Sequence, residues 1–92
     1  MNVVRQPAVA GQFYPDSADT LSTAVDEYLA EAESANARVP KAIIAPHAGF
    51  NYSGPVAARA YIRLKPAKET ITRVILLGPC HRVAVKGLAL CS

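Results

Sequence analysis

Apolar residues at Leu21, Ala24, Val25, Tyr28, Leu29 and Ala32 recur at the three- and four-residue spacing of one helix face. Asp16, Ser17 and Asp19 lie just ahead of them as N-cap candidates, so the pattern predicts a helix over about 17–33. A second stripe, Val56, Ala57, Ala60, Tyr61 and Leu64, predicts a helix over about 54–65, capped by Ser53 or Asn51 and with Pro55 tolerated in its first turn. Two runs follow a different rule. Ala42-Ile43-Ile44-Ala45 and Val74-Ile75-Leu76-Leu77 show no polar alternation and stop at turn signals after about four residues, as strands covered on both faces do. They predict strands over about 41–45 and 73–77, joined by the second helix in a right-handed parallel βαβ unit.

The fold class this pattern predicts is α/β, a partial α/β sandwich preceded by a loop and the first helix. Residues 5–16 hold Pro7, Pro15 and Gly11 around Phe13-Tyr14, a loop composition with an aromatic anchor. Residues 34–40 make a short polar connection. Lys86-Gly87-Leu88-Ala89-Leu90-Cys91 is the start of a further strand. One crossover helix cannot cover both faces and both edges of a short parallel sheet. We therefore expect residues 1–92 to form a single incomplete domain, the N-terminal part of a longer protein.

A chain of 92 residues supports one small domain and buries only about 60 to 65% of its unfolded surface. At 51% hydrophobic and 18% charged residues it is too apolar for disorder. Its apolar stretches nevertheless fall far short of the roughly 20 residues that cross a bilayer. Residues 1–7 lack the basic head, apolar region and cleavage site of a secretory signal, so the cytoplasm is the expected compartment. The formal charge of +3 is spread over dispersed Lys and Arg without aromatic interleaving, which argues against nucleic acid as a partner. Cys80 and Cys91 make neither a disulfide framework nor a Cys-x-x-Cys pair.

The chemistry concentrates at the only two histidines. His47 follows the first apolar run across Pro46, and His81 follows the second across Gly78-Pro79-Cys80. If both runs are neighbouring parallel strands, both imidazoles leave the same carboxyl edge, where open α/β sheets place their ligands. Two neutral ring nitrogens bind one ion at about 2.0 to 2.1 Å when they approach within roughly 3 to 3.5 Å of each other. Taken alone, a histidine after a buried strand is a hydrogen-bonded turn residue. The pairing at two equivalent turns points instead to a metal site, which needs a third ligand from elsewhere or from Cys80. Cys80 also reads as a small packed residue, since its side chain diverges from that of His81. Cys91 reads as core. Phe50 and Tyr52 can line a pocket or simply pack, and Gly49 and Gly54 are turn glycines or openings for substrate. No Gly-x-Gly-x-x-Gly, Walker loop, His-Glu-x-x-His or Gly-x-Ser-x-Gly is present.

Three blocks, taken in order and spacing, carry a family likeness: residues 5–15 (RQPAVAGQFYP), 45–54 (APHAGFNYSG) and 76–81 (LLGPCH). They resemble the Memo family, whose prokaryotic members are called AmmeMemoRadiSam system protein B. The resemblance implies a fold related to class III non-haem iron extradiol dioxygenases and a metal site of two histidines and one cysteine, with iron or copper as the ion. The histidine of Pro-His-Ala-Gly corresponds to His47 and that of Gly-Pro-x-His to His81. The family's cysteine lies far downstream and has no counterpart among these residues, so neither Cys80 nor Cys91 takes its place. The loop holding Phe13 and Tyr14 lies near the cleft in the family, which makes these two and Tyr52 candidates for a substrate wall. The resemblance also implies a pathway link to radical-SAM and AMMECR-type proteins, with an unidentified small molecule or peptide as ligand.

Two functions from different classes follow. The first is a metal-dependent oxidoreductase with His47 and His81 as ligands and no assigned catalytic residue. The second is a non-enzymatic module that holds a peptide or metabolite in the same cleft. Residues 1–92 alone, lacking the third ligand and most of the sheet, are expected to bind metal poorly and to be inactive.

Overall fold

The computed structural model describes residues 4–32 and 38–90. Helix α1 spans Ala18–Glu31 and helix α2 spans Phe50–Tyr61, which runs directly into a 3-10 segment, Ile62–Ala67. No strand forms among the described residues, where β pairing is limited to an isolated bridge between Ala10 and Tyr14.

Helix α1 forms where its sequence signals place it. Ser17 is the N-cap, and its Oγ accepts from the Thr20 N–H at 3.4 Å, while Asp19 puts a carboxylate in the first turn beside the positive helix end. Leu21, Ala24, Val25, Tyr28, Leu29 and Ala32 are all half-buried, the predicted apolar face. The helix ends at Glu31, and Ala32 turns the backbone extended as the C-cap. Positions 33–37, including part of the predicted polar connection, lie outside the described residues.

Helix α2 starts four residues before the predicted position. Gly49, with no side-chain bond, is its N-cap, so neither Asn51 nor Ser53 caps it, and Pro55 falls in the second turn instead of the first. A proline there leaves the carbonyl four residues back, that of Asn51, without its helical N–H partner. The buried face also differs from the predicted stripe. Ser53, Gly54, Ala58 and Ile62 are buried, whereas Val56 and Tyr61 are exposed. The small residues Gly54 and Ala58, four apart on one face, let α2 approach α1 closely. The Tyr28 ring fills that space.

The predicted sheet is not there. Segments 41–45 and 73–77 have no regular secondary structure, and neither does the predicted strand over residues 86–90. Cys91, assigned to that strand's core, lies outside the described residues. The α/β sandwich and its βαβ unit are therefore replaced by two packed helices with irregular segments on either side. The physical reason lies in what a buried strand requires: a hydrogen-bonded neighbour along each edge and an apolar layer on each face. Here the apolar runs meet neither, with Ile44 99% and Ile75 90% exposed. The radius of gyration, 14.9 Å, exceeds the about 12 Å of a compact chain of this length. Among the described residues the core is small, made by Ala58 and Ile62 with one buried polar side chain, Ser53.

An aromatic cluster ties the N-terminal loop to both helices. Gly11, at φ +82°, turns the chain so that its N–H donates to the Tyr14 carbonyl at 2.7 Å. Phe50 then packs against Tyr14 (centroids 5.8 Å) and edge-on against Tyr28 (6.4 Å, 73°).

Candidate functional site

The turn that carries His47 is held from three directions. Pro46 restricts the backbone on its N-terminal side. On the C-terminal side Gly49 opens α2, and its carbonyl accepts from the N–H groups of Tyr52 (2.9 Å) and Ser53 (3.0 Å). From the N-terminal loop, the Phe13 carbonyl accepts from the Phe50 N–H at 2.7 Å. Gly49 faces Phe13 so closely that a Cβ there would lie 3.4 Å from the Phe13 Cδ1. His81 lies in a bend just after Pro79-Cys80.

These two turns, 34 residues apart in sequence, meet. His47 Nε2 and His81 Nε2 are 3.2 Å apart, with ring centroids at 5.3 Å and planes inclined by 32°. Both residues are exposed. The meeting is made by irregular segments, not by the carboxyl edge of a sheet. At this spacing two neutral rings can hydrogen-bond, one N–H donating to the other's lone pair. With both lone pairs turned inward, the same distance lies in the 3 to 3.5 Å range that two nitrogens on one ion require. Among the described residues no third His, Cys, Asp or Glu joins them in a group able to hold a metal, and Cys80 is an exposed free thiol.

The candidate substrate residues are divided. Phe13 is partly exposed beside Gly49, two residues from His47. Tyr14 is half-buried and engaged with Phe50. Tyr52 stands 86% exposed on the first turn of α2.

Three further residues shape this region. Phe50 is the hub of the aromatic cluster. Gly54 admits the Tyr28 ring. Ser53, foreseen as a helix cap, is instead buried inside α2, with its hydroxyl turned back on the His47 turn. No local signal marks this role, because a serine near a helix start can cap it or bond back to a preceding carbonyl, and only the position of the helix start decides.

Two closely placed imidazoles on stiffened turns define a pair of nitrogen donors. Comparison with known proteins identifies the lineage: the Memo-like protein family model matches residues 5–92, and the chain belongs to that family. Protein MEMO1 of Xenopus laevis is 42% identical over 89 residues, which cover 97% of this chain and 29% of that protein. The MEMO1 family protein of Aquifex aeolicus is likewise 42% identical over 89 residues, 97% of this chain and 32% of its own length. Protein MEMO1 of Homo sapiens is 38% identical over 90 residues, 98% of this chain and 29% of that protein. The chain thus spans about three tenths of the length of these relatives. No solved structure matches it. No helix among the described residues is long and apolar enough to cross a membrane.

Proposed function

We propose that the chain contributes two ligands, His47 and His81, to a non-haem metal site of oxidoreductase type. The observation that supports this is the 3.2 Å separation of the two Nε2 atoms. Imidazole donors suit iron and copper, and two of them alone hold an ion weakly. The remaining donor, the cysteine that the family resemblance implies, comes from outside these residues, so residues 1–92 form part of a larger metal-binding unit.

An iron or copper ion bound there supplies a redox couple and Lewis acidity at a centre with open coordination positions. The chain's own residues do the rest. His47 and His81 present neutral nitrogens to one point, and Pro46 and Pro79 limit the turns' freedom, which lowers the entropy lost on ligation. Phe13, next to the His47 turn, and the exposed Tyr52 offer aromatic surface to a substrate, while Tyr14 supports Phe50 from behind.

Anaerobic loading with Fe(II) or Cu(I), followed by metal quantification, tests the site. The full-length protein, with the third donor present, retains metal, and His47→Ala and His81→Ala each lose it. Equal metal content in the double variant rejects the proposal.

One observation favours a second reading. Among the described residues the pair stands without a third donor, and its spacing equally fits a direct imidazole–imidazole hydrogen bond in a site that binds a peptide or metabolite without turnover. Oxygen-uptake assays on the metal-loaded protein with candidate substrates separate the two. Sustained uptake that disappears in the histidine variants supports the oxidoreductase, and binding without uptake supports the module.

A further inference from the structure

Among the described residues, no backbone N–H of the turn after His47 serves the Ala48 carbonyl. The N–H groups of Tyr52 and Ser53 both go to Gly49, the N-cap, which leaves the carbonyl of Ala48, one residue ahead of the helix. The Ser53 hydroxyl supplies the missing partner. Its Oγ lies 2.6 Å from the Ala48 oxygen and 3.3 Å from the Gly49 oxygen, and the residue is only 7% exposed. A hydroxyl has a single proton, so the short contact is the principal bond and the long one its weaker arm.

We infer that Ser53 is a positioning residue for His47: its hydroxyl, by holding the Ala48 carbonyl, fixes the peptide that follows His47 and so keeps that imidazole facing His81. Pro46 limits rotation before His47, and the Ser53–Ala48 bond limits it after. Between these two restraints the backbone can swing little, and the Nε2–Nε2 distance depends on that. The bond comes from a buried residue of α2 whose neighbour, Gly54, meets the Tyr28 ring of α1, so the rigidity of the helix pair is passed to the exposed turn. Its role in metal affinity rests on the metal-site proposal. Its role in ring placement does not.

The experiment follows both. Nuclear Overhauser contacts between the ring protons of His47 and His81 report ring placement in the metal-free chain, and cobalt(II) titration of the full-length protein followed by absorbance reports affinity. Ser53→Ala, with α2 intact by circular dichroism, is expected to lose the ring-to-ring contact and to weaken cobalt binding by about tenfold, the lower end of the effect of residues that orient metal ligands. Ser53→Thr, which retains the hydroxyl, is expected to restore both. Unchanged contacts and affinity in Ser53→Ala overturn the inference, as does absence of the contact in the unmutated chain. If the unmutated full-length protein binds no cobalt, the metal proposal fails and the ring contact alone decides for Ser53. If Ser53→Ala loses α2, the Ser53 hydroxyl proton in the unmutated chain decides: slow exchange with solvent supports the bond, and free exchange overturns it.

Discussion

A Cβ placed on Gly54 would stand 2.7 Å from Cε2 and 2.8 Å from Cζ of Tyr28, closer than any side-chain carbon tolerates. The contact between α1 and α2 is therefore made by a ring against bare backbone. Gly54→Ala forces the ring aside at about 1 to 3 kcal/mol. The usual helix advantage of alanine is offset here, because its Cβ would crowd the Cδ of Pro55 within the helix. The variant therefore unfolds at lower denaturant. In a Tyr28→Ala background the ring clash is gone, and the same substitution should cost markedly less. A urea series on the four proteins, read at 222 nm, checks the difference. Equal effects in both backgrounds would show that ring and glycine do not touch.

Ser17 is bound to the Thr20 N–H at 3.4 Å, a long capping bond. Its loss in Ser17→Ala should cost about 0.5 to 1 kcal/mol, the lower part of the range for caps, and fray the first turn of α1. Ser17→Asp should recover the loss, because a carboxylate caps and also favours the positive helix end. Helical ellipticity of the three proteins at one temperature orders them Asp, Ser, then Ala.

Val74, Ile75, Leu76 and Leu77 stand exposed in sequence, with Ile44, Leu88 and Leu90 exposed elsewhere. Each such side chain gains about 1.5 to 3 kcal/mol when fully buried, so the free chain should self-associate at rising concentration. An Ile75→Lys, Leu76→Lys double variant should remain monomeric where the unmutated chain sediments as larger species. Identical sedimentation of both would place the association elsewhere.

Legibility in the sequence followed how local each determinant is. Helix α1 was legible to within two residues because its cap, Ser17, and its apolar face from Leu21 to Ala32 lie inside the segment itself. For α2, Pro55 and Ser53 suggested a later start. The helix begins instead at Phe50, whose N–H is held by the Phe13 carbonyl from a loop far away in sequence. The strands over 41–45 and 73–77 were misread for a related reason. An unbroken apolar run states that residues such as Ile44 and Ile75 favour burial, but a ladder also needs a partner edge, which no run carries within itself. The histidine turns were legible because each follows a proline, although irregular segments and not strands bring them together. Ser53 and the Tyr28–Gly54 contact depend on tertiary packing, and composition gave no sign of either.

The central claim is that His47 and His81 share one cation, and long-range proton–nitrogen NMR of the imidazoles during zinc titration tests it most directly. Zinc serves as a diamagnetic probe of the pair. The account predicts that both Nε2 resonances shift together and level off at one ion per chain. A shift confined to one ring, or none in either, would contradict it.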